Sequence, residues 1–351
     1  MYLSIFKTLK YFSIFSYPPT FEEIYTFLPV KISKKKLKQE LERLIKQKII
    51  KDLKIEVENC YRYTIGEYGI NKSKIKNQKS KIEKNNNLTI QQFNNFYQKH
   101  RESQKKLRNW RFRLYIKLLS FFPQIKLIGL SGSLAMMNAK KEDDIDLFII
   151  TSKNRLFTGR FIAVILAQLL NLRRHFVYKT RRTNFYAPVG PLFPLLAEKT
   201  SQVAKNLASS SFFSNKVCLN LFFDESDLQA PKFKQSEYVA HEVLQMKPII
   251  NKSQTYENFL AANRWVMSFF PNCAKIFNFK FLISNKLLNL KNKNYKLNKN
   301  LKLKIENFGN WLENMFKKFQ LKLINKHKTT EIITDFQLWF HPDDFEKRIK
   351  V

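Results

Sequence analysis

LIGLSGSLAMMNAKKEDDIDLFII, residues 127–150, decides how the chain is read. The apolar run 125–130 reads as a buried strand, and Ser131-Gly132-Ser133 is a small-residue turn that opens a short helix. Ten residues separate Ser133 from Asp144-Ile145-Asp146, and a second apolar strand, 145–151, follows at once. Alternation along a strand puts Asp144 and Asp146 on one face and Ile145 on the other. Two carboxylates side by side at the mouth of an apolar strand repel each other. A divalent cation is the simplest compensation, and oxygen ligands select Mg²⁺ or Mn²⁺. The Gly-Ser turn offers what a triphosphate needs: close backbone approach, N–H groups and a hydroxyl. The plainer reading of the same residues is an acidic surface loop between two core strands.

Upstream, residues 1–68 read as a winged-helix-like domain. A first helix carries Leu3, Phe6, Leu9 and Phe12 on one face and ends at Tyr17-Pro18-Pro19. Thr20 and Glu23 form a capping box for a second helix, and Ser33 caps a third whose stripe is Leu37, Leu41 and Leu44. Two β-rich stretches, 49–57 and 60–65, complete the pattern. Such a unit can contact nucleic acid or serve as a protein–protein module. Residues 69–104 are a basic low-complexity linker or helix; between Asn71 and Asn87 lie six lysines against Glu83. From about Phe96 an amphipathic helix presents Leu107, Trp110, Leu114, Leu118 and Phe121 on one face. Residues 105–230 hold the two strands, a helix from about Leu156 to Leu172, and a third strand at 216–223. Residues 231–351 form a C-terminal helical domain, with helices at 236–246, 256–270 and 305–325.

The 351 residues carry 63 Lys+Arg against 28 Asp+Glu, a net charge of +35. A basic surface of this size attracts nucleic acid or anionic membrane. Abundant Lys, Asn, Ile and Phe with only 7 Gly is equally what an A+T-rich coding sequence produces, so charge alone leaves both readings open. The longest apolar run, 161–172, contains Gln168 and falls short of the roughly 20 residues of a membrane span. No membrane partner is expected. Cys60, Cys218 and Cys273 match no disulfide or zinc spacing, which suits a reducing cytoplasm. No P-loop, dinucleotide fingerprint or nucleophile elbow is present.

Gly132-Ser133 followed after ten residues by Asp144-x-Asp146 resembles the signature of the DNA polymerase beta-like nucleotidyltransferase superfamily. The whole chain is also similar to bacterial nucleotidyltransferase-domain proteins with an N-terminal winged helix. The resemblance implies an α/β (α+β) core with a small mixed sheet. It also implies metal-assisted attack of a hydroxyl on the α-phosphate of a nucleoside triphosphate, most simply AMP transfer from ATP to RNA, protein or a small molecule. Asp144 and Asp146 would then be the catalytic metal ligands, with Gly132 and Ser133 on the β- and γ-phosphates. Arg155 or Arg160 would add positive charge, Arg160 being the one retained. The superfamily's third carboxylate sits on a later strand, where period two puts Asn220 and Asp224 on one face with Cys218. Asn220 can ligate a metal but cannot act as a base; Asp224 would complete the triad.

His241-Glu242 reads either as a substrate-positioning pair or, more plainly, as a histidine buried at a helix interface. His341-Pro342-Asp343-Asp344 reads as a turn, and the four tryptophans as packing residues. Two rivals remain: a nucleic-acid-binding regulator whose degenerate transferase domain senses nucleotide, and a scaffold.

Overall fold

The structure, a computed structural model, describes residues 1–55, 60–65, 79–173, 177–179, 186–188, 215–274, 276, 299–325 and 331–340. His341-Pro342 and its neighbours lie outside them. The N-terminal unit has helices α1 (Tyr2–Ile14), α2 (Phe21–Thr26) and α3 (Lys34–Lys46) and an antiparallel hairpin, β1 (Ile50–Ile55) with β2 (Cys60–Ile65). The capping box is formed: Thr20 N–H donates to Glu23 Oε2 at 2.7 Å and Glu23 N–H to Thr20 Oγ1 at 3.3 Å. Leu37, Leu41 and Leu44 pack with Ile5, Leu9 and Ile24 in a small core. The stripe of α1 is rotated from the expected one. Leu3 is 76% exposed, while Ile5, Leu9, Tyr11 and Phe12 are buried, because α1 serves two cores at once.

Helix α4 (Lys79–Arg108) occupies much of the expected linker and buries Phe96, Ser103 and Lys106. It breaks at Asn109, whose Oδ1 accepts the N–H groups of Arg111 and Phe112 at the start of α5 (Trp110–Phe121). The break resets the helical phase. Trp110 and Phe121, expected inside, are 66% and 56% exposed, and Phe112, Tyr115, Ile116 and Leu119 face the core instead.

Next come β3 (Ile125–Leu130), the one-turn α6 (Gly132–Ala135), β4 (Ile145–Thr151), α7 (Leu156–Leu169), a small hairpin of β5 (Val177–Lys179) with β6 (Tyr186–Pro188), and β7 (Val217–Asp224). They are followed by α8 (Glu237–Gln245), β8 (Lys247–Asn251), α9 (Thr255–Ala262), α10 (Lys299–Asn325), β9 (Ile332–Ile333) and β10 (Gln337–Trp339). The main sheet has the order β8-β3-β4-β7-β10-β9, with β4 and β7 parallel and every other pair antiparallel. The chain is therefore mixed α/β. Three of these strands lie beyond residue 231, where a helical pattern was expected. Each is short and lies at or beside an edge, where periodicity has little length to register. Pro248 is tolerated in β8 because that strand is an edge.

Strand β4 is apolar on both sides because both faces of the sheet are covered. Ile145, Leu147 and Ile149 pack under α5 and α7. Phe148 and Ile150 pack on the other face with Phe223, α8, α9 and the Tyr11–Phe12 end of α1. Among the described residues, no helix is long and apolar enough to cross a membrane.

Candidate functional site

Strand β3 delivers the chain to Ser131, whose N–H bonds the carbonyl of Asp146 at 3.1 Å and extends the β3–β4 ladder into the turn. Gly132 then adopts φ +58°, a left-handed conformation that glycine alone takes without strain. A Cβ at this position would stand 2.8 Å from Asp146 Oδ2, so the missing side chain is the space the Asp146 carboxylate occupies. Asp144 lies one residue before β4, whose first residue, Ile145, donates its N–H to the Lys216 carbonyl at 2.7 Å. Gly132, Ser133, Asp144 and Asp146 are all half-buried, so the turn and both carboxylates open to solvent together.

Two lysines offset the acidic loop. Lys106 is buried, and its ammonium donates to the carbonyls of Lys141 at 2.9 Å and Asp143 at 2.7 Å. Burial lowers its pKa, and the charges of Asp143 and Asp144 push back. Lys216, at the start of β7, is held by the Asn171 carbonyl at 2.8 Å and feels Asp144 in the same way. Neither lysine was singled out in the sequence, because a lysine-rich chain hides the two that matter.

The phosphate-binding groups expected from the Gly-Ser turn are engaged by carboxylates. Ser133 Oγ donates to Asp143 Oδ2 at 3.2 Å, and the same oxygen accepts Lys140 N–H at 2.8 Å, closing the loop. The Gly132 N–H is bonded by Glu242 of α8, which also accepts the Tyr238 hydroxyl one turn earlier. Desolvation, then the charge of Asp146, pushes the Glu242 carboxyl up to about 7. Glu242 is thus a further carboxylate whose charge is coupled to that of Asp146, supplied by a helix rather than a strand. The sequence offered it only as half of the His241-Glu242 pair. Its neighbour is a packing residue: His241 is buried, stacked on Tyr11 (3.7 Å between centroids) and Phe27 (4.3 Å), with Phe12 and Phe270 edge-on. Its Nδ1 has no hydrogen-bond partner, and burial holds its pKa well below the usual histidine range.

The other expected residues lie elsewhere. In the parallel β4–β7 register Asp146 pairs with Cys218 but Phe148 pairs with Leu221, so a bulge at Leu219-Asn220 breaks the period-two count. Asn220 sits within that bulge. Asp224 is carried to the opposite face and pairs with Thr151, five residues or roughly 17 Å along β4 from Asp146. It is fully buried, and its oxygens accept the N–H groups of Arg155 (3.2 Å) and Ser226 (2.8 Å). That is a loop-stapling role, and Asp224 cannot be the third carboxylate. Arg160 is also on the far face, bonded to Gln320 Oε1 at 2.6 Å and lying over the Phe340 ring. Arg155 bonds Asn310 Oδ1 at 2.8 Å. Both arginines dock α10 on α7; neither reaches the turn.

Among the described residues no three His, Cys, Asp or Glu side chains form a metal-binding group. The donors at the turn, Asp144 and Asp146, are nevertheless oxygens alone. The Gly132 hollow is filled by an Asp146 oxygen, and the charge of that carboxylate acts on a second one, Glu242. A hard divalent cation fits such a donor set. No protein-family model matches the chain, and comparison with curated proteins and with solved structures gave no match either.

Proposed function

We propose that the chain is a metal-dependent nucleotidyltransferase of the polymerase beta-like kind, acting in the cytoplasm through Asp144 and Asp146. The observation that carries this reading is the Asp146 carboxylate seated in the side-chain space of Gly132, with Asp144 two residues before it and Glu242 bonded to the Gly132 N–H. Asp144 and Asp146 would hold Mg²⁺ or Mn²⁺, which when bound supplies charge neutralisation at the transferring phosphate. The acceptor hydroxyl loses its proton to solvent as its oxygen bonds the α-phosphorus, and the bond to the pyrophosphate oxygen breaks, releasing pyrophosphate. Gly132 lets the backbone approach the nucleotide phosphates, and its N–H becomes a phosphate donor once Glu242 releases it. Ser133 does the same when its hydroxyl turns from Asp143. Lys106 and Lys216 hold the acidic loop and the start of β7 in place. The N-terminal helices and hairpin, read as a winged helix, would present RNA, DNA or a protein acceptor.

A second reading is a regulator that senses nucleotide without transferring it. It is favoured by one observation: both phosphate donors of the turn are occupied by carboxylates, which repel a triphosphate. Label transfer decides between them. Purified protein is incubated with each α-labelled nucleoside triphosphate, Mg²⁺ or Mn²⁺, and cellular RNA and protein as acceptors, beside the Asp144→Ala/Asp146→Ala variant. Label moved by the wild type and not by the variant is the expected result, and the labelled fraction names the acceptor class. A folded protein that binds nucleotide and moves no label overturns the enzyme in favour of the regulator.

A further inference from the structure

Helix α10 has two apolar faces, and among the described residues only one of them is packed. Toward α7, Gly309 lies against the Arg155 guanidinium, and the Glu313 carboxylate accepts the N–H groups of Phe157 (2.7 Å) and Thr158 (2.8 Å). Phe316 stacks on Phe161 with centroids 4.1 Å apart, and Gln320 is buried between Arg160 and the Phe157 carbonyl. At 3.6 residues per turn these four positions share one side of the helix. Turned away from α7 run Phe308, Trp311, Met315 and Phe319, and the row drifts round the helix to Leu323 at the edge of the α7 side; each of the five is between 41% and 60% exposed. Five large apolar side chains in one row are more than a water-facing helix normally shows.

Charge says what this row meets. Lys304, Lys318 and Lys322 are exposed along the border of the row, while Glu306 and Glu313, the only acids of α10, fall on the α7 side. The outer face is therefore apolar and purely cationic, in a chain of net charge +35. A second copy packed there would set the three lysines against themselves. Single-stranded nucleic acid would use the lysines and the rings but gain nothing from Met315 and Leu323. An anionic bilayer surface uses every one of these residues, with lysines at the headgroups, Trp311 at the boundary and the remaining apolar side chains in the outer acyl region. The helix cannot cross the bilayer, so it lies in its plane.

We propose that α10 is a membrane-surface helix that docks the protein on anionic lipid through Phe308, Trp311, Met315, Phe319 and Leu323, with Lys304, Lys318 and Lys322 at the headgroups. This inference is independent of the nucleotide chemistry. The test is flotation of the full chain with phosphatidylcholine vesicles, with and without phosphatidylglycerol. Two variants run beside it, Phe308→Ser/Met315→Ser/Phe319→Ser and Lys304→Glu/Lys318→Glu/Lys322→Glu. All six side chains are exposed, so both variants keep the wild-type circular dichroism and melting curve. The wild type floats only with the anionic vesicles. The lysine variant loses roughly 100-fold or more in affinity, about fivefold per lysine, and the serine variant at least about tenfold. No flotation of the wild type overturns the proposal, as does flotation that survives the serine variant, which general charge would explain. Self-association, or single-strand RNA binding, that the variants abolish while vesicles bind nothing also overturns it, assigning the face to a second copy or to nucleic acid.

Discussion

Gly132→Ala separates two costs that the structure assigns to one residue. The first is conformational: at φ +58° an alanine stands in the left-handed region, at about 1–2 kcal/mol. The second is steric: its Cβ would lie 2.8 Å from Asp146 Oδ2, and that carboxylate must move against the like charge of Glu242 to make room. Overpacking of this kind adds about 1–3 kcal/mol. Together they predict a loss of about 2–5 kcal/mol in the wild-type background. In an Asp146→Ala background the second cost vanishes and about 1–2 kcal/mol remains, so the double-mutant cycle shows a coupling of roughly 1–3 kcal/mol. Urea unfolding of the four proteins, followed by circular dichroism, measures both. A Gly132→Ala cost that is the same in the two backgrounds, or below about 0.5 kcal/mol in the wild type, refutes the placement of Asp146 in the glycine's space. Under the proposed chemistry, Gly132→Ala also displaces the carboxylate enough to lower label transfer about 100-fold.

Acid titration reads the adjacent pair on α8. His241 is kept neutral in the fold, so its stability contribution is complete above about pH 6.5 and is lost below it at about 1.4 kcal/mol per pH unit. Glu242 has the opposite sign: raised to about 7, it favours the fold as pH falls from 7 toward the unfolded value of 4.5. The metal-free wild type is therefore nearly flat in urea titrations between pH 6.5 and 5, whereas His241→Phe gains stability on acidification and Glu242→Gln loses it; parallel profiles for all three refute the assignment. Lys106→Met strips the Lys141 and Asp143 carbonyls of their donor, and should cost about 2 kcal/mol and speed proteolysis within residues 139–143; an unchanged cleavage rate would count against the clamp. Arg160→Met should lower the melting temperature while leaving nucleotide affinity unchanged, and a tenfold weaker Kd would return Arg160 to the site.

What could be read from the sequence was whatever depended on neighbours in the chain. The apolar runs at 125–130 and 145–151, the Gly-Ser turn, the Thr20–Glu23 box and the Leu37-Leu41-Leu44 stripe are local signals, and each became the expected element. The failures are non-local. Asp224 followed from an unbroken period of two, and a bulge seated between two distant strands cancelled it. Arg160 is helical and basic by sequence, but its direction is set by α10, more than a hundred residues away. Glu242 reaches Asp146 only because α8 packs across α6, and no spacing within 237–245 announces that. Trp110 and Phe121 were misplaced by a single cap, Asn109, that split one helix into two.

The strand order carries a consequence for synthesis. Both margins of the main sheet, β8 on one side and β10 with β9 on the other, are made after its centre, and β7 meets its outer partner only once residue 339 has been added. On the ribosome, β3, β4 and β7 therefore emerge with open ladders on two sides, and their pairing partners arrive from sequence far downstream. Long-range closure of this kind is slow, and open ladders of apolar strands are where nascent chains associate wrongly. A messenger cut short before the codons for 337–339 would yield a protein with its helices in place, β7 paired only with β4 and open along its outer edge, and a tendency to aggregate.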